Sequence, residues 1–186
     1  MQGLGGQAPG LNRGATMSGN RPASGSNTPL AYILAGMSFD PLSATYTVVK
    51  AGRYRIVAWG GGGTRVSSDG GGGGLAIKDV RLSLSSAVSI TVGSAAGAAS
   101  SRNNTSVTLP DGTTILANGG VNDGGAGGTA SGGDINVSGS VGGLAGSYDV
   151  YVGGAAAQNP GGGGAVQSAN TRNPGAGLVM ILYLGE

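Results

Sequence analysis

Residues 53–59 read Arg-Tyr-Arg-Ile-Val-Ala-Trp, and they run without interruption into four consecutive glycines at residues 60–63. Tyr54, Ile56 and Ala58 alternate with the residues between them, and the stretch is rich in aromatic and β-branched side chains. Alternation with a period of two predicts a β-strand, with the Arg-bearing face at least partly solvated. A strand that ends directly in a glycine run is the feature on which the fold prediction depends.

Glycine dominates the chain from this point onward. Nine of the 42 glycines precede residue 60, and the other 33 follow from it. Runs such as residues 70–74 and 161–164 abut strand-like segments instead of separating two domains. Glycine runs are often flexible linkers, but extended polyproline-II-like glycine points its N–H and C=O groups sideways at neighbouring segments. We therefore expect ordered, laterally hydrogen-bonded, polyglycine-II-like segments.

Strand-like segments recur between the glycine runs. Residues 45–50 are joined to residues 53–59 by Ala51-Gly52, which predicts a β-hairpin. Pro110-Asp111-Gly112 is typical of a tight turn and predicts a second hairpin. Residues 30–35 fit either a strand or one helical turn, and no glycine-free window has the apolar period of a helix. The remaining predicted strands are residues 75–84, 87–92, 105–109, 113–117, 148–152 and 178–184.

These patterns predict an all-β fold, a glycine-rich β-sandwich with polyglycine-II-like segments. Residues 45–186 form the predicted domain, and residues 1–44 form an extended anchoring arm. Residues 1–30 mix Gly, Ser, Asn and Pro with no strand or helix period, so they are either disordered or drape over a neighbouring subunit. Nothing in them has the pattern of a secretory signal peptide.

The composition indicates a folded chain that associates with other chains. Hydrophobic residues make up 39% of the sequence and charged residues only 10%, with a formal charge of +2, which does not fit intrinsic disorder. Aromatic residues are only 4% of the total, however, and glycine has no side chain to bury. Hydrophobic burial alone is then marginal for a monomer, so we expect an oligomer or a subunit of a larger assembly.

Residues that carry chemistry are scarce. The chain has no His and no Cys, which removes the commonest general base and the usual zinc ligands. The carboxylates are scattered: Asp40, Asp69, Asp79, Asp111, Asp123, Asp134, Asp149 and Glu186. We therefore predict no catalytic residues, no metal site, no cofactor and no enzymatic activity, with a small carboxylate hydrolase as the remaining alternative.

Neither nucleic acid nor membrane is an expected partner. Ten Lys and Arg residues stand against eight Asp and Glu, and the sequence pI near 9.2 arises without a basic cluster. Scattered charges are typical of a solvated surface. The most apolar stretch, residues 178–184, reads LVMILYL and is far too short to cross a bilayer.

The order of these parts resembles a glycine-rich domain of phage tail fibres, adhesins and related virion proteins. The resemblance lies in four stretches and covers residues 45–186. They are the strand and glycine run at residues 51–63, the run at residues 70–76, the segment VSITVG at residues 88–93, and the last strand, GLVMILY, at residues 177–183.

The resemblance implies a virion location, a homotrimer, and loops between glycine segments that bind a bacterial surface receptor, either a saccharide or an outer-membrane protein. The loops implied are residues 64–69, 94–104, 144–152 and 165–173. Within them the receptor-binding candidates are Tyr148, Tyr151, Arg172 and Asn173, because aromatic, Arg and amide side chains suit such surfaces. For Tyr148 and Tyr151, a role as caps of the glycine core is favoured over receptor contact.

Two functions follow from the resemblance. The first is a phage tail fibre or tail-tip adhesin, assembled in the host cytoplasm and exposed outside the cell, which docks on other virion proteins through its N-terminal arm. The alternative is a capsid decoration or head-fibre protein with a purely architectural role and no receptor.

Overall fold

The computed structural model describes residues 30–36, 41–63, 70–94, 103–122, 125–141, 166–167, 170–171 and 175–186. These residues contain strands and no helix, so the all-β prediction is confirmed. It follows that no helix in this part of the chain has the length and apolar character needed to cross a membrane. The strands are β1 (Ala31–Ala35), β2 (Leu42–Thr47), β3 (Gly52–Trp59), β4 (Leu75–Leu82), β5 (Ala87–Val92), β6 (Thr105–Thr108), β7 (Thr114–Ala117), β8 (Ala130–Ser131), β9 (Ile135–Val137), β10 (Val166–Gln167), β11 (Asn170–Thr171) and β12 (Leu178–Gly185).

Ten of the strands form two antiparallel sheets of five. Sheet I has the order β1-β12-β3-β4-β9, and sheet II has the order β2-β5-β6-β7-β8. Strand β3 of sheet I contacts β6 and β7 of sheet II, so the two sheets pack face to face. The remaining two strands, β10 and β11, form a two-stranded antiparallel sheet.

One hydrophobic core lies between the sheets. Tyr54 and Ile56 on β3 are fully buried, and they belong to the same cluster as Ile90 on β5 and Ile115 on β7. The exposed positions of β3 alternate with these buried ones at Arg53 and Arg55, as the sequence predicts. The core consists mostly of small aliphatic side chains, with Tyr54 as its largest member.

The predicted hairpin between residues 45–50 and 53–59 is wrong. Strand β2 pairs with β5 in sheet II, whereas β3 pairs with β4 and β12 in sheet I. The link between β2 and β3 therefore crosses from one sheet to the other. Val48, which the prediction placed inside a strand, is buried and exchanges backbone hydrogen bonds with Ser85 and Ser86.

The second predicted hairpin is confirmed. Strands β6 and β7 pair antiparallel, and Gly112 at the turn has φ +85°. The Asp111 carboxylate accepts a hydrogen bond from the Thr113 amide at 2.9 Å, and this bond holds the pKa of Asp111 below its usual value. Residues 30–35, whose sequence fits either a strand or a helical turn, contain β1.

The ordered domain starts earlier than the predicted boundary between residues 44 and 45. That boundary falls inside β2, and β1 already belongs to sheet I through its pairing with β12. Residues 1–29 lie outside the described residues. The predicted strand at residues 148–152 also lies outside them.

The two ends of the sandwich are built differently. Tight turns connect strands at one end, around residues 48–51, 83–86, 109–113 and 132–134, and we call this the turn end. At the other end the strands continue into glycine-rich segments, and we call it the glycine end. The residues where strands meet this end lie side by side in each sheet: Ala35, Leu178, Trp59, Leu75 and Val137 in sheet I, and Leu42 and Val92 in sheet II.

Candidate functional site

The glycine end consists of extended segments that prolong the strands without themselves being strands. Residues 60–63 follow β3, and residues 70–74 precede β4. Residues 118–121 follow β7, and residues 125–129 precede β8. Each segment thus starts from a fixed point, because the strand next to it is held in a sheet.

Backbone hydrogen bonds tie these segments together in three directions. The amides of residues 60–63 donate in order to the carbonyl oxygens of Gly74, Asn103, Gly175 and Gly71, at 2.9, 2.6, 2.8 and 2.9 Å. The first and fourth acceptors lie in the same segment, and the second and third lie in two others. The direction of the amide therefore repeats every three residues, which is the period of polyglycine-II-like backbone.

The same spacing recurs in the neighbouring segments. Gly71 and Gly74 donate to Val121 and Asn118, so donors three residues apart meet acceptors three residues apart. Asn118 and Val121 in turn donate to the carbonyl oxygens of residues 129 and 126. The Gly72 amide donates to the Ser140 carbonyl oxygen, and the Gly72 carbonyl oxygen accepts from the Gly128 amide, so these three segments are bonded to one another as well. These amides and carbonyls are satisfied by backbone, as buried peptide groups must be.

Close packing leaves no room for side chains at many of these positions. A Cβ placed on any of several glycines would come within 3.0 Å of a neighbouring backbone carbonyl oxygen, closer than real Cβ atoms come. The glycines concerned include Gly60, Gly63, Gly70, Gly71, Gly73, Gly120, Gly127, Gly128 and Gly139. Close approach is thus the reason for glycine at these positions, since none of them has the positive φ found at Gly112.

Asn103 is a buried polar residue that lies between the glycine segments. It is 2% exposed, and its side-chain amide donates to the carbonyl oxygens of Gly120 at 3.0 Å and Gly62 at 3.4 Å. Its Oδ1 atom is buried with no hydrogen-bond partner. Sequence reasoning missed this residue, because an Asn just before a strand has the same pattern as an ordinary loop residue.

The two residues that follow Asn103 make further hydrogen bonds at the glycine end. The Asn104 carboxamide oxygen accepts from the Gly119 amide at 2.8 Å. The hydroxyl of Thr105, which is fully buried, accepts from the Gly93 amide at 3.0 Å. The run Asn103-Asn104-Thr105 therefore joins the β5, β6 and β7 ends of sheet II to the glycine segments of sheet I.

The four receptor-binding candidates, Tyr148, Tyr151, Arg172 and Asn173, lie outside the described residues. So do the predicted loops at residues 64–69 and 144–152. Of the loop at residues 94–104, Ser94, Asn103 and Asn104 are described, and of the loop at residues 165–173 only the backbone pairing of β10 with β11 is described. The structure therefore neither brings the four candidates together nor separates them.

Described residues border two of the predicted loops. Residues 64–69 follow Gly63, whose amide donates to the Gly71 carbonyl oxygen at 2.9 Å. Residues 94–104 stand between Gly93 and Thr105, and the Thr105 hydroxyl accepts from the Gly93 amide at 3.0 Å. The sequence positions predicted as loops are therefore adjacent to hydrogen-bonded residues of the glycine end.

The carboxylates that the structure brings together are in ion pairs. Arg55 holds Asp79 through two hydrogen bonds of 2.7 and 2.8 Å, and this contact lowers the pKa of Asp79. The Asp79 amide donates to Asp134 at 2.8 Å and lowers the pKa of that carboxyl too, with Lys78 at 3.3 Å. A carboxylic acid that acts as a general acid near neutral pH needs a pKa above its usual value, whereas the pKa values of Asp79 and Asp134 are lowered. Within the described ranges, no group of three or more His, Cys, Asp or Glu side chains is placed to hold a metal ion.

Comparison with protein-family models and with curated proteins gives no match to this chain. The geometry of the glycine end is therefore the basis for a function.

Proposed function

We propose that this chain is a structural protein of a bacteriophage virion, a tail fibre or tail-tip adhesin, in which the glycine end displays loops for contact with a host-surface receptor. The observation that carries the proposal is that, at one end of the β-sandwich, the backbone of the glycine-rich segments is held by its own hydrogen bonds and not by large side chains.

This construction suits display because it separates support from recognition. Loops held on a rigid scaffold are where proteins commonly place binding residues. Here the scaffold is fixed by backbone bonds such as that from Gly63 to Gly71, which do not depend on the identity of loop side chains. The residues of the predicted loops can vary in sequence while the glycine segments next to them stay in place.

The proposal includes partners and a location. The chain forms a homotrimer, docks on other virion proteins through the part of the predicted arm that precedes β1, and contacts a saccharide or an outer-membrane protein on the bacterium. It is assembled in the host cytoplasm and exposed on the particle outside the cell. It acts without enzymatic activity and without a cofactor.

A cell-binding measurement with matched variants tests the display role. The fluorescently labelled chain is incubated with a panel of bacterial strains, and bound protein is counted by flow cytometry. We expect binding to some strains, and at least a tenfold loss in Arg172→Ala/Asn173→Ala. The matched control is Arg81→Ala, an exposed arginine near the turn end, which should bind like the wild type. Equal binding of all three proteins, or binding to no strain, would contradict the proposal.

Electron microscopy with an antibody against the chain tests its location. Label at the tail tip of particles that contain the chain supports the adhesin. Label distributed over the capsid contradicts it and favours the architectural alternative.

A further inference from the structure

Asn118 and Gly119 form the one Asn-Gly dipeptide of the sequence. They directly follow β7 and begin the segment 118–121 of the glycine end. Asn-Gly is the dipeptide in which asparagine loses ammonia most readily, because glycine has no side chain to hinder attack by its own backbone nitrogen on the preceding carboxamide. A chemically weak site therefore lies within the hydrogen-bonded glycine segments.

The reaction at such a dipeptide is intramolecular and needs only water as a co-reactant. The Gly119 nitrogen forms a bond to Asn118 Cγ, and the side-chain nitrogen of Asn118 leaves as ammonia with the proton that the Gly119 amide gives up. Water then opens the resulting five-membered imide at one of its two carbonyl carbons. The product at residue 118 is aspartate, or isoaspartate with the main chain running through the former side chain.

In the folded chain both reacting groups are bonded to other residues. The Gly119 amide donates to Asn104 Oδ1 at 2.8 Å, and Gly119 is buried. The Asn118 carboxamide donates to the Thr129 hydroxyl at 2.8 Å. Asn104 precedes β6 and Thr129 precedes β8, so two different segments hold the attacking group and its target. The Gly119 amide has to leave Asn104 and lose its proton before it can attack.

The main chain of residue 118 is held in place as well. Its amide donates to the Thr129 carbonyl oxygen at 2.8 Å, and its carbonyl oxygen accepts from the Gly74 amide at 2.9 Å. The same carbonyl oxygen is the atom nearest to the Cβ position of both Gly60 and Gly128, so two other segments pack closely against it. An isoaspartate would displace this carbonyl and add a carboxylate beside it, for which a close-packed backbone leaves no room.

We propose that Asn118 is a site of deamidation that the fold suppresses and that opening of the glycine end exposes. Asn104 is the protecting residue, because its carboxamide oxygen holds the attacking amide. Modification then proceeds only from molecules in which this bond is broken, at a rate proportional to their population. A chain with isoaspartate at residue 118 does not re-form the closed arrangement. This inference concerns the glycine segments themselves and does not depend on a virion location or on receptor binding.

Peptide mapping by mass spectrometry tests this inference on the purified full chain. The folded protein is incubated for several weeks at mildly alkaline pH, and the fractions of asparagine, aspartate and isoaspartate at residue 118 are followed with time. The same chain in guanidinium chloride gives the rate without structure. We expect the folded wild type to deamidate about a hundredfold more slowly than the denatured chain, which corresponds to about 2.8 kcal/mol for opening of the Gly119 amide.

The variant Asn104→Ala removes the acceptor of the Gly119 amide. It should deamidate about tenfold faster than the wild type, since the loss of one hydrogen bond changes the opening equilibrium by about that factor. Asn104→Asp keeps an acceptor oxygen and should restore a rate close to that of the wild type. The matched control is Asn136→Ala: Asn136 Oδ1 also accepts from a glycine amide, that of Gly133 at 3.1 Å, but in an exposed turn at the turn end. It should leave the rate at residue 118 unchanged.

Three results would overturn the inference. They are a folded wild type that deamidates as fast as the denatured chain, a folded Asn104→Ala variant as slow as the wild type, and an Asn136→Ala variant as fast as Asn104→Ala. Circular dichroism shows whether each variant is folded.

Hydrogen exchange of the wild type decides the matter if Asn104→Ala does not fold. The Gly119 amide should be protected by about the factor that suppresses deamidation, and an unprotected Gly119 amide with slow deamidation would rule out the role of Asn104. In separated isoaspartate-containing chains the Gly74 amide should have lost its protection. Protection of that amide as strong as in the unmodified chain would show that the glycine end closes over the modified residue.

Discussion

Gly120 and Gly71 lie so close together that a Cβ on Gly120 would come within 3.0 Å of the Gly71 carbonyl oxygen. Their segments are bonded to each other, since the Gly71 amide donates to the Val121 carbonyl oxygen at 2.8 Å. Glycine is therefore needed at residue 120 for space and not for an unusual φ. Stability at this end of the molecule then depends on the distance between backbones.

Gly120→Ala should lower the free energy of unfolding by about 2–3 kcal/mol, because the obstacle to the new methyl group is backbone that cannot rotate away. Gly112→Ala is the matched control. Gly112 has φ +85°, and a Cβ there would meet no other atom within 4 Å, so only conformational strain of about 1 kcal/mol is expected. Urea denaturation of both variants measures the difference. Equal losses would mean that the segments have room to separate.

Asn103→Ala should cost about 2–3 kcal/mol, because the carbonyl oxygens of Gly62 and Gly120 lose a buried donor. Asn136→Ala is the control: its carboxamide also bridges backbone groups, but in an exposed turn around Gly133, where water replaces the lost bonds. Thermal unfolding should show a clear decrease for the first variant and a small one for the second. A small decrease for both would remove Asn103 from the support of the glycine end.

Tyr54 should make the protein sensitive to alkali. Its side chain is fully buried and its hydroxyl donates to the Lys50 carbonyl oxygen at 2.6 Å. Burial, with Tyr46 nearby, raises the pKa of Tyr54 from 10.0 to about 12. Because the folded-state pKa lies above the unfolded one, the contribution is complete below pH 10 and is lost as the pH rises towards 12. That loss amounts to about 1.4 kcal/mol per pH unit.

Tyr54→Phe isolates this effect. The variant should lose about 1 kcal/mol at pH 7 for the missing hydrogen bond, yet its stability should fall less steeply than that of the wild type between pH 10 and 12. Unfolding midpoints in urea at half-unit steps of pH measure both slopes. Parallel slopes would show that Tyr54 does not contribute to the alkaline transition.

At pH 7, Tyr183→Phe should leave the stability of the fold unchanged or raise it, whereas Tyr54→Phe should lower it. The Tyr183 hydroxyl is buried without a hydrogen-bond partner, so removing it relieves a desolvation cost and leaves the ring contact with Tyr54, at 5.3 Å between centroids, in place. We expect a melting temperature equal to or a few degrees above that of the wild type. A decrease as large as that of Tyr54→Phe would mean that the hydroxyl has a partner, such as a bound water.

The sequence predicts the longer strands and the β6–β7 hairpin, but it predicts neither the partners of β2 and β3 nor the short strands β8 to β11. Residues 75–84 and 178–184 predict β4 and β12 closely, because both follow a glycine directly and are rich in aliphatic side chains. The short link Ala51-Gly52 predicts a hairpin, yet β2 ends at Thr47 and residues 48–51 lead the chain from one sheet to the other. Val48, which lies between the two strands, is buried in the core. A local sequence pattern does not reveal burial against residues distant in the chain.

The candidate site is only partly predictable from sequence. Glycine runs that directly follow or precede strands predict ordered glycine segments. The hydrogen bonds of residues 60–63, whose direction repeats every three residues, agree with that expectation. The role of Asn103 depends on segments distant in the chain, so no local signal reveals it.

Amide hydrogen exchange at the glycine runs tests the central claim most directly. Backbone amides at residues 60–63 and at Gly71, Gly72 and Gly74 all donate to backbone carbonyl oxygens. They should exchange as slowly as the amides of the neighbouring strands β3 and β4, with protection factors well above those of an unstructured peptide. Exchange of these glycines at the rate of a free peptide, while β3 and β4 stay protected, would contradict a hydrogen-bonded glycine scaffold and the display role built on it.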